Sequence, residues 1–244
     1  MIVSAAHMTS FALPADYPRI QRVHSFHELV TTPFACGVNA FCWQRTLPGD
    51  FGEIVKLLGG SEEAITPLDE VRLLSLPVSA AGRVAVDVML ADLRLLREQA
   101  LDPVLNCIHD YPRDESPGPV ATDVFSFHVD SAPVKADTYL CTYHGPASDG
   151  LRNDEAQRRV DLPAIRAELL QHFGGEDDVA FREYLTEHCY DLHYTPVAQA
   201  RPFSFGLGNL WRIATEWPGS PVPPCVHRAP ATLPGQPPRL LLIS

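Results

Sequence analysis

Apolar and polar positions divide the chain into two kinds of stretch. Gly52–Leu58, Pro67–Leu76 and Asp87–Ala100 carry apolar residues at helical spacing. In the last, Val88, Leu90, Leu93, Leu95 and Leu96 include i, i+3 and i+7 relations, in a run free of proline and glycine. These stretches predict helices packed outside a sheet. Asn39–Trp43 is a short apolar run suited to a buried strand. From Pro103 the pattern changes. Val104–Ile108 reads as a strand, followed by the turn-rich Asp110–Pro119, the aromatic and β-branched Thr122–Val129, and the alternating Thr138–Tyr143. A second helical block spans Leu162–Phe173, with Pro163 in its first turn, and Asp178–Cys189. Strand patterns return at Asn209–Glu216, Pro224–Arg228 and Arg239–Ile243.

Strands, a helical block and strands again do not make the regular alternation of a parallel α/β sheet. They predict a mainly β fold with helices: a double-stranded β-helix (jelly roll) core, a helical N-terminal part and a helical insert. The expected layout is one domain over residues 1–244. Residues 1–102 would form helical and strand support, and 103–244 a jelly-roll core interrupted by an insert at 145–202. So long and charged a connection fits a lid or a dimer-forming helical pair. Arg152, Arg158 and Arg159 would meet an anionic substrate if it closes over a site, or else form a solvated helical face.

Composition narrows the partners. With 45% hydrophobic and 20% charged residues, the chain has the make-up of a folded soluble protein. Its formal charge of −11 lacks the basic excess that a phosphate backbone requires. No apolar run approaches the roughly 18–20 residues that span a bilayer. Met1–Ser10 shows no basic segment followed by an apolar one. The six cysteines (Cys36, Cys42, Cys107, Cys141, Cys189, Cys225) form no C-x-x-C and read as reduced thiols. A cytoplasmic protein is expected, with neither nucleic acid nor membrane as partner and a homodimer as one arrangement.

The candidate chemistry lies in the strands. His128 and Asp130 form an H-x-D tripeptide, and residues at i and i+2 of a strand share a face, so both can reach one ion. His227 sits in a later short strand between proline-rich turns. Two imidazoles and a carboxylate are the facial donor set of non-haem Fe(II) oxygenases, which leaves open positions for further ligands. With ten histidines in the chain, one H-x-D arises by chance about once in such a sequence. Its strand setting, the distal His227 and a basic residue in the final strand raise its weight. That residue is Arg239, whose guanidinium suits a carboxylate through two parallel hydrogen bonds. Elsewhere, His188 and His193 lack a compact ligand spacing and read as helix-end surface residues. His24 and His27 read as loop residues; His109 and His144 are candidates for a cavity mouth; Trp211 reads as core. There is no G-x-G-x-x-G and no P-loop.

H-x-D, a distal His and an Arg twelve positions further on resemble the Fe(II)/2-oxoglutarate-dependent dioxygenase superfamily, over approximately Phe125–Ser244. The blocks Phe127–Asp130, Leu140–Pro146 and Val226–Pro230 also look like an uncharacterised bacterial family of that kind, with Phe-His-x-Asp, Cys-Thr-Tyr-x-Gly-Pro and His-Arg-Ser-Pro blocks. Asn39–Leu58 resembles that family's N-terminal block. The resemblance implies iron held by His128, Asp130 and His227, with 2-oxoglutarate and O2 as co-substrates and Arg239 on the far carboxylate of 2-oxoglutarate. It implies oxidative decarboxylation coupled to hydroxylation, or a related C–H oxidation, of a small-molecule or amino-acid-like substrate. Many relatives place Ser or Thr two residues after the Arg, where this chain has Leu241. A second donor is then expected from Tyr139 and Tyr143, or from Thr138 or Thr142 if the other strand face points inward. Arg228 ranks behind Arg239, because alternation aims it away from the metal side. The alternative is a cupin-like metalloenzyme whose substrate chelates the metal directly, without 2-oxoglutarate.

Overall fold

The computed structural model describes residues 11–59, 63–114, 118–233 and 235–244. The Met1–Ser10 segment lies outside them, as does part of the Asp110–Pro119 stretch. Thirteen strands and six α-helices are described. In chain order they are β1 (Ile20–Val23), α1 (Phe26–Thr31), β2 (Ala40–Trp43), α2 (Phe51–Leu58), β3 (Ile65–Pro67), α3 (Glu70–Ser75), α4 (Ala80–Arg97), β4 (Val104–Ile108), β5 (Phe127–His128) and β6 (Asp137–His144). Then follow β7 (Asp149–Leu151), β8 (Ala156–Arg158), α5 (Pro163–Phe173), α6 (Val179–Glu187), β9 (His193–Pro196), β10 (Phe203–Ser204), β11 (Leu210–Ala214), β12 (Val226–Arg228) and β13 (Arg239–Ile243).

The strands form two sheets, a seven-stranded one ordered β1-β2-β11-β6-β13-β4-β3 and a six-stranded one ordered β10-β7-β12-β5-β9-β8. Apart from the parallel β1–β2 pair, every pairing is antiparallel. The architecture is mainly β with helices. No helix among the described residues is long and apolar enough to cross a membrane.

Helices α1 to α4 cover the outer face of the large sheet. α2 and α4 form there because each starts on a good cap: Asp50 accepts from Glu53 N–H, and Ser79 accepts from Gly82 N–H. α4 then buries Val86, Met89, Leu90, Leu93 and Leu96 against the outward residues Phe41, Leu105, Tyr139, Cys141, Tyr143, Leu240 and Leu242. Each large apolar side chain taken fully out of water contributes about 1.5–3 kcal/mol. The opposite, inward residues of the large sheet, Ala40, Cys42, Ile108, Leu140, Trp211, Ile213 and Leu241, make a second cluster with Phe203, Phe205 and Cys225 from the small-sheet side. The interior between the sheets is therefore an apolar floor with a few polar side chains set into it.

Two boundaries differ from the sequence expectation. Residues 1–102 are not separate support, because β1, β2 and β3 complete the large sheet, with β2 paired to β11 and β3 to β4. Nor is 145–202 a single insert: β7, β8 and β9 belong to the small sheet, and β7 pairs with β12 alongside His227. These strands escape periodicity because each has only three or four residues. The helical part proper is α5 and α6, held on its own small core of Val160, Leu169, Phe181 and Leu185.

Candidate metal centre

Two short strands of the small sheet and the turn after the first position the centre. His227 on β12 stands directly opposite His128 on β5. Facing residues of an antiparallel pair share a side of the sheet, so both imidazoles enter the interior while Phe127 and Val226 pack behind. Asp130 follows two residues after His128, just beyond the strand. Its backbone carbonyl accepts from Glu216 N–H, tying the turn to the end of β11. One donor atom from each of His128, Asp130 and His227 lies within 4.8 Å of the other two.

The side chains are fixed from behind. His128 Nδ1 is 2.8 Å from the Ser126 carbonyl oxygen, and His227 Nδ1 is 3.2 Å from that of Cys225. A carbonyl can only accept, so both rings carry their proton on Nδ1 and present the Nε2 lone pair to the centre. Those Nε2 atoms are 4.0 Å and 3.8 Å from the two Asp130 oxygens. Thr138 donates to Asp130 Oδ2 at 2.5 Å. Burial, and then the neighbouring His227, push the His128 pKa below its ordinary value, so it is neutral. Burial pulls the Asp130 pKa upward, but His227, the Thr138 hydrogen bond and His128 outweigh it, and the carboxyl stays below its usual range. A neutral His128 imidazole and an ionised Asp130 carboxylate are the protonation states a divalent ion needs of them.

Arg239 enters the same interior from β13 in the large sheet. Its guanidinium donates to Tyr111 Oη (2.9 Å), Thr142 Oγ1 (3.0 Å) and Ser148 Oγ (2.5 Å). The residue is 4% exposed, its Nε has no hydrogen-bond partner, and no carboxylate lies within 4.0 Å of it among the described residues. Burial lowers its pKa from the ordinary arginine value. Beside it is a recess of about 30 Å³, lined in part by Ile108, His109, Tyr111, Pro146 and Pro230. That is room for about two water-sized groups. A buried cation surrounded only by hydroxyls is incomplete until an anion reaches it.

Of the residues expected from sequence, the structure brings His128, Asp130 and His227 together and places Arg239 inside. It does not place Tyr139 and Tyr143 there, and that expectation is corrected. Both point to the helical layer, where Tyr143 donates to Asp92 at 2.7 Å and stacks on Phe51. Alternation along β6 decides this: the inward set is Thr138, Leu140 and Thr142. Arg228 is turned away, paired with Asp149 at 3.0 Å and lying over the Phe127 ring. His109 lines the recess at Arg239, whereas His144 abuts α2 at Gly52. Tyr111 and Ser148 had no signal in the sequence, since only folding brings positions 111, 148 and 239 together. His193 is a further correction. It is buried, not a surface residue, and its ring lies 5.8 Å from that of His128. Burial, followed by the charge of Arg159, pushes its pKa down to about 4.

A second cavity, of about 920 Å³, opens beside Arg45, Phe51 and Tyr143 and contains none of the triad. The chemistry-bearing groups converge elsewhere, so volume alone does not mark the site.

The model of the family described as "Protein of unknown function (DUF1826)" matches residues 122–243, half of the chain, and the chain belongs to that family. The matched stretch contains His128, Asp130, His227 and Arg239. No curated protein matches in sequence. Among solved structures, the chain is similar to the Kdo hydroxylase KdoO, a non-heme Fe(II) alphaketoglutarate dependent dioxygenase seen in complex with alphaketoglutarate and Fe(III). The identity is 12% and the TM-score 0.41, over 92% of this chain and 87% of that one.

Proposed function

We propose that this member of the DUF1826 family is an Fe(II)- and 2-oxoglutarate-dependent oxygenase, built on a double-stranded β-helix, that oxidises a C–H bond of a small-molecule substrate. One observation carries the reading: a buried Arg239, with no carboxylate partner among the described residues, shares an interior with a His-Asp-His set whose donor atoms lie within 4.8 Å of one another. Thr138 and Thr142 mark the two ends of the arrangement. They lie on the same face of β6, four residues and so about 13 Å apart along the strand. The first holds Asp130 and the second Arg239. An extended dicarboxylate with one end at the metal and the other at the guanidinium suits that frame. Succinate-length and longer keto acids are distinguished by where their far carboxylate falls.

In this reading His128, Asp130 and His227 would hold the iron through two imidazole nitrogens and a carboxylate, a donor set that does not fill its coordination. Iron bound there supplies dioxygen activation, with 2-oxoglutarate as the reductant that leaves as succinate and carbon dioxide while one oxygen atom goes to the substrate. Thr138 orients the Asp130 carboxylate through its hydroxyl proton. The Ser126 and Cys225 carbonyls keep both imidazoles in the metal-binding tautomer. Arg239, with Tyr111, Thr142 and Ser148 fixing its fork, would take the far carboxylate and gain the partner that its Nε lacks. The hydroxyls of Thr142 and Ser148 occupy the role that Leu241 cannot fill.

The test is an anaerobic titration of Fe(II) and 2-oxoglutarate, followed by the weak visible charge-transfer band of a bidentate keto-acid chelate. The band is expected in the wild type and lost in His128→Ala. A protein shown by metal analysis to bind iron, yet giving no band, excludes 2-oxoglutarate as co-substrate. Retention of iron and turnover in Arg239→Met would support direct chelation by the substrate instead.

A further inference from the structure

The row of inward side chains that contains the two metal-facing histidines does not end with them. In the small sheet, Phe203 pairs with Gly150, Gly150 with His227, His227 with His128, and His128 with His193. Gly150 carries no side chain because a Cβ there would strike the Phe203 and Phe205 rings, so that end of the row is filled by aromatic carbon. At the other end β8 closes with Arg158 opposite Tyr194, and Arg159 opens the 3-10 turn that follows and packs against β9. Directly opposed residues share a face, which places His193 beyond His128, on the side away from His227. Arg159 is also the charge that acts most strongly on His193.

Both residues are left unsatisfied. Arg159 Nε and His193 Nδ1 are buried without a hydrogen-bond partner. The Arg159 guanidinium makes no ion pair among the described residues. Most carboxylate oxygens around them are engaged elsewhere, although Asp191 Oδ1 is itself buried without a hydrogen-bond partner. Asp191 accepts from Thr186 and lies 3.9 Å from Arg158, Asp123 accepts from Phe125 and Ser126 N–H, and Asp114 accepts from Thr122. The other two arginines singled out in this segment are occupied, Arg152 by Asp154 and Arg158 by Asp191. Orphaned buried donors cost about 1–3 kcal/mol each, so a pair of them beside a candidate metal centre marks a place where a ligand completes the structure. Within the triad the side chains of His128 and Asp130 are 15% and 31% exposed, against 9% for His227.

We propose that Arg159 and His193 bind an oxyanion of the substrate, a carboxylate or a phosphate group, on the side of His128 away from His227. This rests on reading the triad as the metal centre, and it names the substrate class: an anionic small molecule whose charged end sits at the edge of the small sheet. Arg159 supplies guanidinium N–H donors and His193 one imidazole N–H. Arg239, on the other sheet, remains for the co-substrate, so the two anions have separate sites.

The two readings can be separated by working in an Arg239→Met background, which removes the other buried unpaired guanidinium and needs neither iron nor 2-oxoglutarate. Inorganic phosphate and acetate are titrated calorimetrically into this protein and into versions that also carry Arg159→Gln, Arg159→Lys, His193→Gln or Arg158→Gln. The expected result is one saturable anion site, weakened at least ~10-fold by Arg159→Gln and a few-fold by His193→Gln, and unchanged by Arg158→Gln. Arg159→Lys keeps the charge and part of the affinity, which serves if the Gln variant does not fold. Preference for phosphate or for acetate identifies which oxyanion the substrate carries. No saturable binding of either anion, or binding indifferent to Arg159→Gln, overturns the proposal. Anion binding that depends on Arg159 in a protein without the Fe(II)/2-oxoglutarate band supports this site and refutes the oxygenase reading.

Discussion

The two faces of the large sheet treat a buried arginine in opposite ways. On the outer face, beneath the helices, Arg45 makes a bidentate pair with Asp92 at 2.7 and 2.9 Å, and Tyr143 donates to the same carboxylate. The charge is closed and the arginine pKa is raised; burial opposes this, but the Asp92 hydrogen bond outweighs it. On the inner face Arg239 is as deeply buried, meets three hydroxyls and no carboxylate, and has its pKa lowered by burial. The same kind of side chain serves packing on one side of the sheet, from the loop after β2, and on the other, from β13, lacks a carboxylate partner among the described residues. An inward-facing cation without its anion is what separates the candidate site from a polar core network.

The largest effect should come from opening the closed pair. Asp92→Ala leaves Arg45 buried and unpaired and Tyr143 without its acceptor, and should destabilise the fold by about 3–5 kcal/mol in urea denaturation. A double change to Arg45→Met with Asp92→Leu should recover most of that loss.

The matching change on the inner face has the opposite stability sign. Arg239→Met removes a buried charge that lacks a partner, so the denaturation midpoint should hold or rise. Affinity for 2-oxoglutarate should fall at least ~30-fold, the lower end of the roughly 2–5 kcal/mol for truncating a buried charge pair. A melting point lowered as far as that of Asp92→Ala would mean that Arg239 is structural.

Acid sharpens the contrast further. His193 has a folded pKa of about 4, against about 6.5 in an unfolded chain, and His128 is shifted in the same direction. Both are therefore neutral when folded, while the unfolded state takes up protons first. Their contribution is complete above about pH 6.5 and is lost as the pH falls toward 4. The metal-free protein should lose stability across that window, and His193→Gln should flatten the slope. An unchanged slope would remove His193 from the account.

The smallest effect belongs to Arg228. Its pair with Asp149 is partly exposed, at 35% and 29% for the two side chains, so Arg228→Ala should cost no more than about 1 kcal/mol. It should leave 2-oxoglutarate affinity unchanged. A strong loss of that affinity would exchange the roles of the two arginines.

Much of this was legible beforehand. β4 and β13 match their sequence-read spans, and α2, α5, α6, β6, β11 and β12 lie within a few residues of theirs, whereas α4 begins seven residues before the expected Asp87. Each has enough residues for a period to declare itself, or clear punctuation at its ends. The convergence of His128, Asp130 and His227 and the inward Arg239 agree with the sequence expectation, although the strand read over Thr122–Val129 is only Phe127–His128 and Asp130 lies beyond it. The inward side of β6 was not. Its outward residues Tyr139, Cys141 and Tyr143 are as apolar as a core face, and nothing in a strand buried on both sides tells the helical layer from the interior.

What the sequence determined by itself is therefore local: the strand and helix periods, the closeness of His128 and Asp130 along the chain, and the basic residue opening the last strand. The tertiary structure decided the rest. It set which side of β6 looks inward, built the hydroxyl cradle of Tyr111, Thr142 and Ser148 around Arg239, and put His193 opposite His128. The reason is physical. Periodicity records how a residue sits in its own element, whereas facing partners are fixed by sheet register and by which layer covers each face, and those depend on residues a hundred positions away.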